Sequence, residues 1–156
     1  MHSHLIVLIF EREEEASGVY DALQQMRGSP LLGLEYAAVV TKDGRGRLAV
    51  FQKRELSRSG VDPHDDLVNP TIALLFGDPP EEMMQALTEK GFDDRFREQV
   101  FQALGDNSSA LLFLITHDSN VERSQLLGIL TLFKGQVFET TFPQEVEAVL
   151  AKGWKA

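Results

Sequence analysis

"HLIVLIF", residues 4–10, and "SALLFLITH", residues 109–117, are apolar runs of strand length rich in branched side chains. A strand covered on both faces needs apolar groups at successive positions, so both runs read as central strands. After the first, Ala16, Val19, Ala22, Leu23 and Met26 recur at helical spacing, and Gly28 with Pro30 supplies a stop. After the second, Ser119 and Glu122 stand at capping-box spacing ahead of a helical pattern that closes at Gly135. Each helix is followed by another strand pattern, "LEYAAVV" in the first case and "QVFETTF" in the second. The chain therefore contains two copies of strand, helix, strand, alike in pattern and not in identity.

Two such units predict an α+β fold of the ferredoxin-like α/β sandwich type, with helices on one face of a mainly antiparallel sheet. The two leading strands are expected to lie parallel at its centre. A length of 156 residues suits one domain with a real core. Within it, 4–54 forms the first unit plus a hairpin strand, 55–108 a loop and two short helices, and 109–156 the second unit plus a C-terminal helix.

The connecting parts carry their own signals. Strands over about 34–42 and 47–54 meet at "KDGRG", where Asp-Gly marks a hairpin. Residues 57–70 are polar and hold Gly60, Pro63 and Pro70, the composition of a loop. "TIALLFG", residues 71–77, is far shorter than the roughly 20 apolar residues of a membrane-spanning helix. Asp78 is expected to cap the next helix, with Pro79 in its first turn, Glu81 and Glu82 at its positive end, and Met83, Met84 and Leu87 on its apolar side. A second short helix is expected from about Asp93 to Leu104, with Phe96, Val100 and Leu104 on one side and Gly105 as its stop. In "QVFETTF", Val137, Glu139 and Thr141 alternate with Phe138, Thr140 and Phe142, and Val146, Val149 and Leu150 then mark one side of a final helix over about 144–152.

The hydrophobic fraction of 43% and charged fraction of 25% are those of a globular protein, not of a disordered or fibrous one. With no cysteine, the chain has no disulfide, thiol nucleophile or cysteine-ligated zinc or iron–sulfur site. The N-terminal apolar run lacks a basic leader and is followed at once by acids, so no signal peptide is expected. The net charge is −9, yet residues 42–58 hold six basic and two acidic side chains, a local +4 that leaves −13 on the remainder. Lys42, Arg45, Arg47, Lys53 and Arg54 thus mark a possible partner surface, although basic side chains on an edge strand also serve to discourage unwanted pairing. General nucleic-acid binding is disfavoured by the overall charge.

The opening "HLIVLIFE", the "LEYAAVVTKDGRGRLAVFQ" hairpin, "LLFG", "KGFDDRFREQVFQALGDNSSALLFLI" and the closing "GQVFETTFPQEVEAVL" resemble a bacterial family of uncharacterised proteins known as domain of unknown function 1269. The resemblance covers nearly the whole chain. Its most telling element is a Gly-hydrophobic-Asp-Asp helix start before a strand entered through Ser-Ser-Ala. Typical members of that family place a Gly and Ala-rich membrane-like hairpin between "LLFG" and this helix. Here "DPPEEMMQALTEK" stands in that place, with charges and two prolines, so neither the length nor the small-residue packing of a membrane hairpin survives. The resemblance implies no catalytic residue.

The four histidines are the side chains best suited to ligate a metal or act as a base near neutral pH. His2 and His4 sit at a terminus expected to fray. His64 lies among Asp62, Asp65 and Asp66 in a polar loop without the Gly and terminal Glu of a calcium loop. His117 is the more pointed case. If the leading strands are parallel neighbours, Glu11, Arg12, His117, Asp118 and Ser119 converge at one end of the sheet, a candidate ligand-binding corner with His4 at the opposite end. Helix capping by Ser119 accounts for part of it more simply. Phosphate-loop, dinucleotide, zinc-protease and nucleophile-elbow motifs are all absent from the sequence.

The sequence therefore reads as a soluble, cytoplasmic, non-enzymatic protein-interaction or assembly module. It is expected to form a homodimer through an open sheet face or edge bearing Phe138 and Phe142, or else to cover that surface with its own final helix, and to have an unknown protein or small-molecule partner. No catalytic residue, metal site, cofactor, nucleic acid or membrane span is expected. The alternative is a small-molecule sensor or regulatory domain using the corner.

Overall fold

In the computed structural model, residues 3–25, 36–51, 68–115 and 123–152 are described. The elements are β1 (Ser3–Phe10), α1 (Glu15–Gln25), β2 (Tyr36–Lys42), β3 (Leu48–Phe51), α2 (Val68–Phe76), α3 (Glu81–Glu89), α4 (Asp94–Ala103), β4 (Ser108–Ile115), α5 (Arg123–Leu130), β5 (Gln136–Phe142) and α6 (Gln144–Lys152). They form an α+β sandwich around one five-stranded antiparallel sheet, ordered β3-β2-β4-β1-β5.

All eight residues of β4 are buried, and β1 is buried from Leu5 to Phe10, as the two unbroken apolar runs require. They are neighbours, but antiparallel: His4 faces Ile115 and Phe10 faces Ser109. This corrects the expected parallel pairing. The helix of each unit returns the chain so that β1 and β2 run the same way, as do β4 and β5. Each pair leaves a gap one strand wide, and the gap is filled by the first strand of the other unit running in reverse.

A second correction concerns the faces. On one, Ile6, Leu8, Phe10, Leu111 and Phe113 pack with Ala16, Tyr20 and Leu23 of α1 and with Leu126 and Leu130 of α5. The other was expected to lack helices, yet Leu5, Val7, Ile9, Leu112 and Leu114 pack there with side chains of α2, α3, α4 and α6. Phe142 is fully buried in this layer and Phe138 partly so. The apolar face proposed for a dimer is therefore filled by the chain's own helices.

The short apolar segment that looks like the stump of a membrane hairpin is α2, with Ile72, Leu74 and Leu75 in the core. Its end is held from outside: the Arg97 guanidinium donates to Leu74 O at 3.1 Å and, just past the helix, to Gly77 O at 3.0 Å. Among the described residues no helix is long and apolar enough to cross a membrane. The expected N-cap of α3 is displaced, because Pro80, not Asp78, occupies the cap position and no side chain caps it. At its far end Gly91, at φ +103°, lets Phe92 N–H reach back to Leu87 O at 2.9 Å and Gly91 N–H to Thr88 O at 3.1 Å, a Schellman turn that delivers Phe92 into the core. Asp93 then caps α4, accepting from Arg95 N–H and Phe96 N–H.

Helix α5 ends at Leu130, five positions before the expected stop at Gly135, and turns carry the chain onward. Gly135 serves packing: a β-carbon there would lie 2.8 Å from the Phe10 ring. The final helix matches its expected span and inward face.

Candidate functional site

The antiparallel register decides the fate of the predicted corner. Glu11 and Arg12 follow Phe10 and are exposed at the Ser109 end of β4. The chain leading to His117 leaves β4 at Ile115, beside His4, about 20 Å away at roughly 3.4 Å per residue. The parallel pairing from which that corner was predicted is therefore absent. His117, Asp118 and Ser119 themselves lie outside the described residues, as do His2, His64, Lys53, Arg54 and Glu122. His4 is not frayed; it pairs with both Ile115 and Thr141 and is half-buried. No group of three or more His, Cys, Asp or Glu suited to a metal occurs among the described residues.

What occupies the Glu11 end is structural. The Ser109 hydroxyl, fully buried on β4, donates to Arg12 O at 2.6 Å and accepts from Ala16 N–H at 3.0 Å. It therefore caps the first turn of α1 from a strand 93 positions away.

The basic hairpin has a defined geometry. The Asp43 carboxylate accepts from Arg45 N–H at 2.8 Å and Arg47 N–H at 2.9 Å, and Arg47 Nε donates to its second oxygen at 3.3 Å. Gly46 takes the left-handed conformation this turn needs, at φ +78°. The backbone amides of Arg47 and Arg45, and then the Arg47 charge, hold the Asp43 carboxyl below its ordinary value of 3.8. A depressed value means that the ionised carboxylate supports the turn above pH 3.8 and that this support is lost as pH falls through the lower folded-state value. The carboxyl carbon-13 shift of Asp43 is expected to titrate with a midpoint below 3.8, and a midpoint at or above it would contradict the turn geometry.

Lys42 is drawn into the fold. Its ammonium donates to Leu104 O at the end of α4 at 3.2 Å and lies 5.9 Å from the centre of the Phe101 ring, over which Arg97 also sits at 4.5 Å. Arg45 and Arg47 are exposed. β3 is an edge strand hydrogen-bonded to β2, with Leu48 across from Lys42 and Val50 across from Val40. Leu48, Val50 and Phe101 are 39%, 41% and 40% exposed, so most of the large exposed apolar side chains of the described residues adjoin this edge. Sequence reasoning marked the charges and missed these three. Two signals could have found them: "LAVF" in β3 is apolar at successive positions although an edge strand has solvent beside it, and Phe101 stands off the Phe96–Val100 stripe of its helix.

Comparison of the chain with family models, with curated proteins and with solved structures gives no match.

Proposed function

We propose that this chain is a non-enzymatic, soluble and cytoplasmic protein-interaction module whose docking element is the β3 edge. The observation that carries this reading is the grouping of Leu48, Val50 and Phe101 beside the basic hairpin, on a strand whose outer side has no partner among the described residues. Exposed apolar groups rimmed by charge are the usual mark of a protein contact. The interleaved strand order supports reading the core as a ferredoxin-like sandwich with its second face filled, and the likeness to domain of unknown function 1269 adds no catalytic residue to set against the module reading. The homodimer leaned on Phe138 and Phe142, which now sit in the core layer, so self-association would have to use an edge. The small-molecule sensor drew on the Glu11–His117 corner and loses that support with the antiparallel register.

A native mass spectrum of the untagged protein tests the reading. The expected species carry the 17.4 kDa polypeptide mass, or a multiple of it, without added mass. A stoichiometric small-molecule adduct would overturn the module in favour of the sensor.

A further inference from the structure

Resting on that reading, we propose that the β3 edge accepts an acidic, extended polypeptide segment as an added strand. The outer side of an edge strand carries a row of backbone N–H and C=O groups that strand addition satisfies. β2 holds the inner side of β3, and nothing among the described residues pairs with the outer one. Leu48 and Val50 project from the same face as their cross-strand partners Lys42 and Val40, and Lys42 reaches the Phe101 ring. The edge therefore offers Leu48 and Val50 as an apolar strip on this face, and an added strand with period two would lay every second side chain beside it. Apolar residues at alternate positions of the partner follow from this geometry.

Charge selects the residues between them. The edge begins at Arg45 and Arg47, both exposed, and Lys53 and Arg54 follow it in the sequence, against a chain of net charge −9. Of the acids beside the hairpin, Asp43 is engaged by the turn itself, and Asp106, next to Gly46, leaves the basic side chains in excess. Opposite charges facing across strands are favourable and like charges are not. A two-fold contact between the β3 edges of two copies would set the same positive excess against itself, so an acidic partner is favoured over a second copy.

The test uses the full chain and two labelled peptides about eight residues long, the length of a strand, one alternating valine with glutamate and the other valine with lysine. Binding is followed by fluorescence anisotropy, and strand addition by hydrogen exchange at 48–51. The valine–glutamate peptide is expected to bind at least about tenfold more tightly than its lysine counterpart, to weaken as salt rises, and to slow exchange along β3. Doubly substituting Leu48→Thr and Val50→Thr, at exposed positions, leaves the charge and the strand propensity in place and removes the apolar strip. It is expected to abolish the slowed exchange without lowering the melting temperature appreciably. Equal binding of the two peptides would overturn the acidic preference and leave the edge as docking element. If neither peptide binds and the wild-type chain has a two-chain mass that the double variant reduces to one, the occupant is a second copy and the acidic partner is overturned. If neither peptide binds and the chain has a one-chain mass, the edge reading falls with it.

Discussion

Replacing Phe142 with alanine is expected to lower the free energy of unfolding by about 3–5 kcal/mol, the usual range for deleting a buried aromatic ring. The side chain is fully buried at the end of β5, its ring centre is 6.1 Å from that of Phe92 in a tilted pair, and Val146 and Leu150 of α6 belong to the same packed layer. The cavity cannot close easily, because Phe92 is held by the Schellman turn after α3 and β5 is fixed by its ladder to β1. Urea unfolding monitored by circular dichroism gives the value. Val137→Ala, on the same strand but 42% exposed, serves as the comparison, with an expected change within about 0.5 kcal/mol. The contrast also separates two pictures of β5. Had Phe142 belonged to a dimer seam, its loss would divide the dimer and leave a single chain nearly as stable as before.

Ser109→Ala is expected to cost about 1–3 kcal/mol, a large loss for the removal of one oxygen. The hydroxyl joins Arg12 O to Ala16 N–H inside the protein, and alanine leaves that donor and acceptor without their partner. Amide exchange reads the effect locally: Ala16 should lose protection first, because it sits in the opening turn of α1, where the helix provides no acceptor. The adjacent Ser108 makes only a 3.5 Å contact to Asp106 O, so Ser108→Ala should fall well below the Ser109 value. Equal effects at the two serines would refute the cap.

These residues show what the sequence conveys and where it stops. The two central strands were legible because six consecutive buried positions in each, Leu5–Phe10 and Ala110–Ile115, leave an unbroken apolar run. The inward sides of α3 and α6 were legible because both helices obey simple spacing. Strand direction was not, since a run apolar on both faces looks alike from either end. The predicted corner lost its premise with it. Helix α1 packs through Ala16, Tyr20 and Leu23, whereas spacing alone favoured Ala22, which is exposed; a phenol counts as half polar until the surroundings of its hydroxyl are known. The helical nature of α2 was hidden because its end is secured by Arg97, 20 or more positions away, a contact with no local trace. Ser109 was visible only as a polar letter in an apolar word, and its meaning lies in a loop from the other end of the chain.

The antiparallel ladders of β1 have a consequence for synthesis on the ribosome. Both partners of this strand, β4 and β5, lie roughly a hundred or more residues further along. At about 5–20 residues per second, "HLIVLIF" emerges some 5–20 s before the first strand able to pair with it. During that interval a segment apolar on both sides has helices able to cover it but no strand to pair with, and an unpaired apolar strand is the kind of segment that aggregates readily. The order in which the strands are made thus leaves a strand from the middle of the sheet waiting for its neighbours on both sides, the first of which is β4.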